Sequence, residues 1–166
     1  MTVIIRLAEA ADAEALPEVE RDAGKSFLAI PDLAWIASHD LTSAEEHLSR
    51  IPAGTVWVAE DADAGLVGFL NAEAIGGELH IWEAAVRSDF QQRRIGARLL
   101  EAAADHARGA GLEALTLTTF RDVVWNAPFY ARNGFEIVEG DDRLDGLLRG
   151  EAERRLPRRC AMRRRL

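Results

Sequence analysis

The stretch QQRRIGARLL, residues 91–100, follows an apolar strand-like run and opens an amphipathic one. A charged strand-to-helix loop would read this way. So would an anion cradle, in which backbone N–H groups at a helix N-terminus hold a phosphate. A helix entered directly from a buried strand leaves its first N–H groups without partners. Its aligned peptide dipoles add partial positive charge at that end, and Arg93, Arg94 and Arg98 add more. A diphosphate is the natural ligand for such an end.

Outward from this stretch the pattern is regular. Glu78–Val86 (ELHIWEAAV) reads as a strand, and residues 95–108 as a helix with Leu99, Leu100, Ala103 and Ala107 inward. Gly109 and Gly111 end the helix, and residues 112–119 (LEALTLTT) alternate like a strand. Strand, helix, strand makes a βαβ unit, so 78–86 and 112–119 are expected to run parallel with a right-handed crossover.

Upstream, residues 3–6 are a short β-branched strand and residues 11–23 have helical spacing, with Leu16, Val19 and Ala23 on one side. Residues 24–42 have no clean period. Ser43-Ala44-Glu45-Glu46 is a capping box that opens a short helix to about residue 50. Residues 55–60 and 66–75 form a hairpin, and Gly76-Gly77 turns the chain into Glu78–Val86. Downstream, a short helix over 127–133 leads through Gly134 to a strand at 135–138. Residues 139–157 are polar and poorly patterned, with room for some helix, and 158–164 is a closing strand. The order predicts a mixed α+β fold: one domain, residues 1–166, with a central mixed sheet of about six to seven strands flanked by helices.

Composition bounds the function. The 166 residues suffice to bury a core without disulfides or a structural metal. No run of about 18 apolar residues exists to span a membrane, and the N-terminus lacks the pattern of a signal peptide. A single cysteine, Cys160, excludes an internal disulfide and a cysteine-based zinc site, and a reducing cytoplasm fits it best. The net charge of −8 argues against general nucleic-acid binding. Residues 154–166 carry seven arginines; without them the charge over residues 1–153 is −15. That tail reads as a last strand with arginines along a sheet edge, where charge discourages aggregation. His39, His47 and His106 have no metal-ligand spacing, so no metal is expected. The phosphate motif G-x-x-x-x-G-K-[ST] is absent, which excludes that class of nucleotide triphosphatase, and no G-x-G-x-x-G follows the first strand.

VRSDFQQRRIGARLL, residues 86–100, resembles the acetyl-CoA loop of the GNAT superfamily of N-acetyltransferases, Q/R-x-x-G-x-G/A. Gln91, Gly96 and Ala97 fit the pattern. Arg94 stands where the first glycine is expected. At negative φ it would donate the same backbone N–H, but it cannot take a glycine-only conformation. A second segment, NAPFYARNGF at 126–135, resembles the family's N-x-x-x-x-Y-x-x-x-G-F. The resemblance is tight over residues 78–138 and looser before them.

The resemblance implies acetyl transfer from acetyl-CoA to an amine by direct attack, without a covalent enzyme intermediate. Gln91, Gln92, Arg93, Arg94, Ile95, Gly96 and Ala97 would cradle the pyrophosphate. The backbone of Ala84, Ala85 and Val86 would pair with the pantetheine arm, Asn126 would contact CoA, and Tyr130 would protonate the thiolate. For the base, the residues leave His80, Glu83 and a water chain open. Strand alternation puts His80 and Glu83 on opposite faces unless a bulge intervenes. Arg121, Asp122 and Trp125, after the second parallel strand, together with Phe27, Asp32 and Trp35, are candidates to shape an acceptor pocket. A small-molecule amine is the expected acceptor. A protein N-terminus or lysine, and a non-catalytic acyl-CoA-binding module, are the alternatives. A homodimer paired through an edge strand near the C-terminus is compatible with the family, in which dimers are common.

Overall fold

A computed structural model describes residues 2–166. Seven strands form one sheet in the order β1-β2-β3-β4-β5-β7-β6. They are β1 (Val3–Leu7), β2 (Val56–Asp61), β3 (Gly65–Ile75), β4 (Glu78–Val86), β5 (Ala114–Phe120), β6 (Glu136–Val138) and β7 (Arg159–Arg165). Among the described residues, five α-helices accompany them: α1 (Leu16–Gly24), α2 (Ala44–Arg50), α3 (Ile95–Gly109), α4 (Ala127–Arg132) and α5 (Asp142–Glu153). The sheet is mixed. β1 and β2 pair antiparallel, β4 and β5 pair parallel through Leu79 opposite Leu115 and His80 opposite Thr116, and β7 pairs antiparallel with both β5 and β6.

The chain packs as two compact units, one of residues 1–73 with 83–103 and the other of residues 74–82 with 104–166. In the first, Leu16 and Val19 of α1 are buried with Val58, Phe69 and Ala85 in one apolar cluster. The i, i+3 spacing of the two helix residues gives α1 its apolar stripe. The helix starts later than the pattern suggested, because residues 10–12 form a separate 3-10 turn tied to β1 by Arg6, whose guanidinium pairs with Asp12 at 2.8 Å. The capping box of α2 is formed: Ser43 Oγ accepts from the Glu46 N–H, and Glu46 accepts from the Ser43 N–H. Residues 24–42, which show no period, fold largely as two 3-10 helices, Lys25–Ala29 and Pro31–Ser38.

In the second unit, Leu115, Leu117, Leu144 and Met162 are among the fully buried side chains. The polar stretch 139–157 contains a full helix, α5, whose start is capped by Asp141 accepting from the Leu144 N–H at 3.0 Å. The arginine-rich tail requires a correction. β7 is not an edge strand but lies between β5 and β6, and the edges of the sheet are β1 and β6. Opposing carboxylates make this inner position tolerable. Arg163 pairs with Glu78 at 2.7 Å and with Asp141 at 2.8 Å, and Arg159 pairs with Glu151 at 3.1 Å. Along Ala161–Arg163 the outer side of β7 is covered by β6.

Gly68 on β3 faces the backbone of β4. A Cβ there would lie 3.0 Å from the Ala85 carbonyl oxygen, tighter than ordinary contact, so any side chain requires the neighbouring strand to give by a few tenths of an ångström. Gly68→Val is expected to lower stability by about 1–3 kcal/mol through overpacking, read as a lower denaturant midpoint with an unchanged m-value.

Candidate active site

The loop ahead of α3 is built by pinning its start and twisting its middle. At the start, the Ser88 N–H and Oγ both donate to Asp22 Oδ2, at 2.6 and 2.9 Å. Phe90 is buried, with the Arg87 and Arg93 guanidiniums stacked 5.5 and 4.9 Å from its ring centre. Gln91 Nε2 donates to the Val86 carbonyl at 3.0 Å, closing the loop onto the end of β4.

Beyond Gln91 the backbone enters the left-handed region twice, at Gln92 (φ 60°) and Arg94 (φ 64°). Arg94 thus stands at positive φ, a region that glycine enters freely and that other L-residues enter at a cost of roughly 1–2 kcal/mol. Left-handed residues flanking one of negative φ turn successive N–H groups toward a common point, the geometry of an anion-binding nest. The helix follows at once. The Arg98 N–H bonds the Arg94 carbonyl at 3.0 Å, so the amides of Ile95, Gly96 and Ala97 are those that a helix leaves without intrahelical partners. Ile95 is buried and anchors this first turn, whereas Gln91, Gln92, Arg93 and Arg94 are exposed. The Arg98 side chain is engaged elsewhere, donating to the Val3 carbonyl at 2.8 Å.

Along β4, His80 and Glu83 have different partners, as simple alternation requires. The imidazole of His80 is 1% exposed, with Nδ1 2.9 Å from Thr116 Oγ1 and 3.3 Å from Arg143 Nη1. Burial and the Arg143 charge lower its pKa to about 4. At neutral pH it is a neutral, occupied core imidazole. Arg143 is itself held by Glu78 at 3.1 Å.

Glu83 lies against α1 and the segment preceding α2. Its carboxyl neighbours that of Glu20, and Thr42 Oγ1 donates to Glu83 Oε2 at 3.4 Å. The Thr42 N–H donates to Glu20 Oε2 at 3.1 Å. Burial and the neighbouring Glu20 push the Glu83 pKa up to about 9, close to the proton affinity of an aliphatic ammonium. Ala84, next along the strand, is exposed, and Ala85 is buried. Sequence reasoning missed Glu20, Thr42 and His47. One signal was present: Glu20 follows Leu16 by four residues and so shares the inward stripe of α1.

In the other unit, Asn126 precedes α4, and its Oδ1 accepts from Thr119 Oγ1 at 2.9 Å. That bond uses the acceptor end of the amide and leaves its N–H donors. Tyr130, on α4, packs edge-on against Phe129 and Phe135, at 5.2 and 5.6 Å between ring centres. Burial pushes its phenol up to about 12. Cys160 is buried on β7 and its thiol is also pushed up, which suits packing rather than nucleophilic attack. Of the acceptor-side candidates, Arg121, Asp122 and Trp125 are exposed in the second unit. In the first, Asp32 and Trp35 are exposed on the second 3-10 helix, with Trp35 edge-on to His39 at 5.5 Å, and Phe27 is half-buried.

Comparison with known proteins agrees with this fold. A spermidine N(1)-acetyltransferase from Thermoplasma acidophilum is 25% identical over 149 residues, 85% of this chain and 92% of that protein. The crystal structure of the PaiA N-acetyltransferase from Thermoplasma acidophilum, in complex with coenzyme A, superposes with a TM-score of 0.74 at 22% identity and covers 100% of both chains. That of the ribosomal-protein-S18-alanine N-acetyltransferase from Escherichia coli gives a TM-score of 0.70 at 16% identity, covering 99% of this chain and 94% of the other. The model of the acetyltransferase (GNAT) family matches residues 18–135. With most of its length matched, including the loop before α3 and the helix that carries Tyr130, the chain belongs to the GNAT acetyltransferase family.

Proposed function

We propose that the protein transfers an acetyl group from acetyl-CoA to the primary amine of a small molecule by direct attack. The observation that carries the reading is the loop before α3, where two residues of positive φ, Gln92 and Arg94, lead straight into a helix N-terminus, a backbone suited to turning N–H groups toward an anion. A pyrophosphate is the anion whose size and charge answer to such a cradle. Acetyl-CoA brings that group and, at its other end, an activated thioester. The relative named as a spermidine N(1)-acetyltransferase supports a small amine as acceptor, and the net charge of −8 favours a cationic one.

Roles follow from the chemistry. The N–H groups of residues 92–97 hold the diphosphate, and Asn126 uses its amide donors on the same ligand. The backbone of Ala84, Ala85 and Val86 aligns the pantetheine arm as an added strand would. Glu83 takes a proton from the acceptor ammonium. The burial of His80 and the partners that occupy it argue against it in that task. The N–H electron pair remains on nitrogen and attacks the thioester carbonyl. Tyr130 keeps its proton at neutral pH and gives it to the thiolate as the C–S bond breaks.

Calorimetric titration with acetyl-CoA tests the cradle. Gly96→Val is expected to weaken binding at least about tenfold by crowding the first turn. Arg94→Gly should leave affinity within about threefold, because the left-handed geometry is already present, whereas Arg94→Val should weaken it, β-branched residues being outliers there. Equal affinity in all three variants would remove the cradle. For the chemistry, release of free thiol is followed against aliphatic mono- and diamines. Tyr130→Phe is expected to lower kcat about a hundredfold with little change in KM for acetyl-CoA. Binding without thiol release from any amine, but with release from peptides, would move the acceptor to the protein class.

A further inference from the structure

Glu83 is one member of a half-buried polar cluster. α1 supplies Glu20, the segment before α2 supplies Thr42, and α2 supplies His47. Two carboxyl groups hydrogen-bond each other only when one of them carries a proton. His47 is 1% exposed, and neither of its ring nitrogens has a hydrogen-bond partner. Its ring is held edge-on to Phe69 at 5.2 Å, and its Nε2 stands 4.0 Å from Glu20 Oε2. That distance is too long for a bond and short enough for a small side-chain rotation to make one. A buried imidazole left unsatisfied beside a carboxyl group calls for an explanation in function.

We propose that Glu20 and His47 are positioning residues for Glu83: Glu20 shares the proton that Glu83 holds at rest, and His47 takes over Glu20 when that proton leaves. The inference rests on the reading of Glu83 as the base. In the resting pair the proton lies between the two carboxyls, while Thr42 orients both. When it departs to solvent, two adjacent carboxylates remain and repel each other, and Glu20 turns to the Nε2–H of His47. The freed Glu83 carboxylate then takes a proton from the acceptor ammonium. The nitrogen keeps the electron pair, and the proton restores the shared bond with Glu20. The other charges facing the cluster act in a consistent direction. Arg50 of α2 favours the ionised form of both carboxyls, as does His39 for Glu20, while burial and Arg50 keep His47 neutral against the opposing pull of Glu46.

The two positioning residues have opposite effects, which makes the inference testable without knowing the acceptor. In protein carrying 13C-carboxyl glutamate, NMR titration of Glu83 is expected to give a midpoint of about 9 in the wild type. Glu20→Gln removes the neighbouring negative charge and should move it down by about one pH unit or more. His47→Phe removes the donor that stabilises ionised Glu20 and should move it up. His47→Gln, which restores an N–H donor, should return it toward the wild-type value. The acid limb of kcat/KM for a primary amine should follow these midpoints. Because a weaker base is ionised at lower pH, the Glu20→Gln and wild-type profiles should cross, with the variant faster near pH 7 and slower near pH 10. A Glu83 midpoint unmoved by Glu20→Gln, or moved the same way by both variants, overturns the inference. Shifted midpoints with an unshifted rate profile overturn it as well, since Glu83 would then not be the base. Absence of thiol release from every acceptor would instead defeat the acetyl-transfer reading, leaving the NMR midpoints to decide the pair.

Discussion

The alternation of side chains along β4 is the constraint on which the rest of the site depends. Successive residues of a strand face opposite ways, so nine residues deliver two unrelated sets of side chains to two environments. His80 and Trp82 share one face, with ring centres 4.4 Å apart, and His80 is absorbed into the polar interior built by Thr116, Arg143 and Glu78. Glu83 and Ala85 share the other face. Ala85 joins the apolar cluster of α1, which draws Glu83 against the same helix and into contact with Glu20. The closeness of β3 to β4 at Gly68 is part of the same arrangement, since a side chain there would press on the Ala85 carbonyl and disturb the strand that carries Glu83.

The two histidines show how burial decides chemistry. Both are buried and neutral, but the ring nitrogens of His47 have no hydrogen-bond partner, whereas His80 has Thr116. A histidine six residues before the end of a strand and a glutamate three residues nearer are equally plausible bases on paper. What separates them is desolvation with opposite consequences. Burial beside a positive charge lowers the histidine to about 4, where it cannot hold a proton at neutral pH. Burial beside another carboxyl raises the glutamate to about 9, where it can match an ammonium.

The loop before α3 shows a different lesson, about how strictly a motif must be obeyed. Its pattern asks for glycine where Arg94 stands, yet the chain there adopts the left-handed conformation that glycine would supply. The cost of an L-residue in that region is small beside the packing that anchors the loop on both sides: Phe90 and Ile95 are buried, and Ser88 is bound by Asp22. A backbone cradle needs the direction of its N–H groups, and a side chain that points to solvent does not alter that direction.

Much of this was legible in the amino-acid sequence. The strand–loop–helix–strand unit around residues 78–119, the capping box at Ser43 and the two motifs that point to the family rest on local spacing and local hydrogen bonding, which sequence records directly. Residues 24–42 and 139–157 were not legible, because 3-10 segments and a helix with a weak apolar stripe carry little periodicity. Nor was the placement of β7, since strand order depends on long-range pairing and the arginines of an inner strand look like those of an edge until Glu78, Asp141 and Glu151 are brought to them. Above all, the meeting of Glu20, Glu83 and His47, residues separated by 63 positions in numbering from first to last yet adjacent in space, belongs to tertiary structure alone. A pKa shift is set by what surrounds a group, and only the folded chain determines those surroundings.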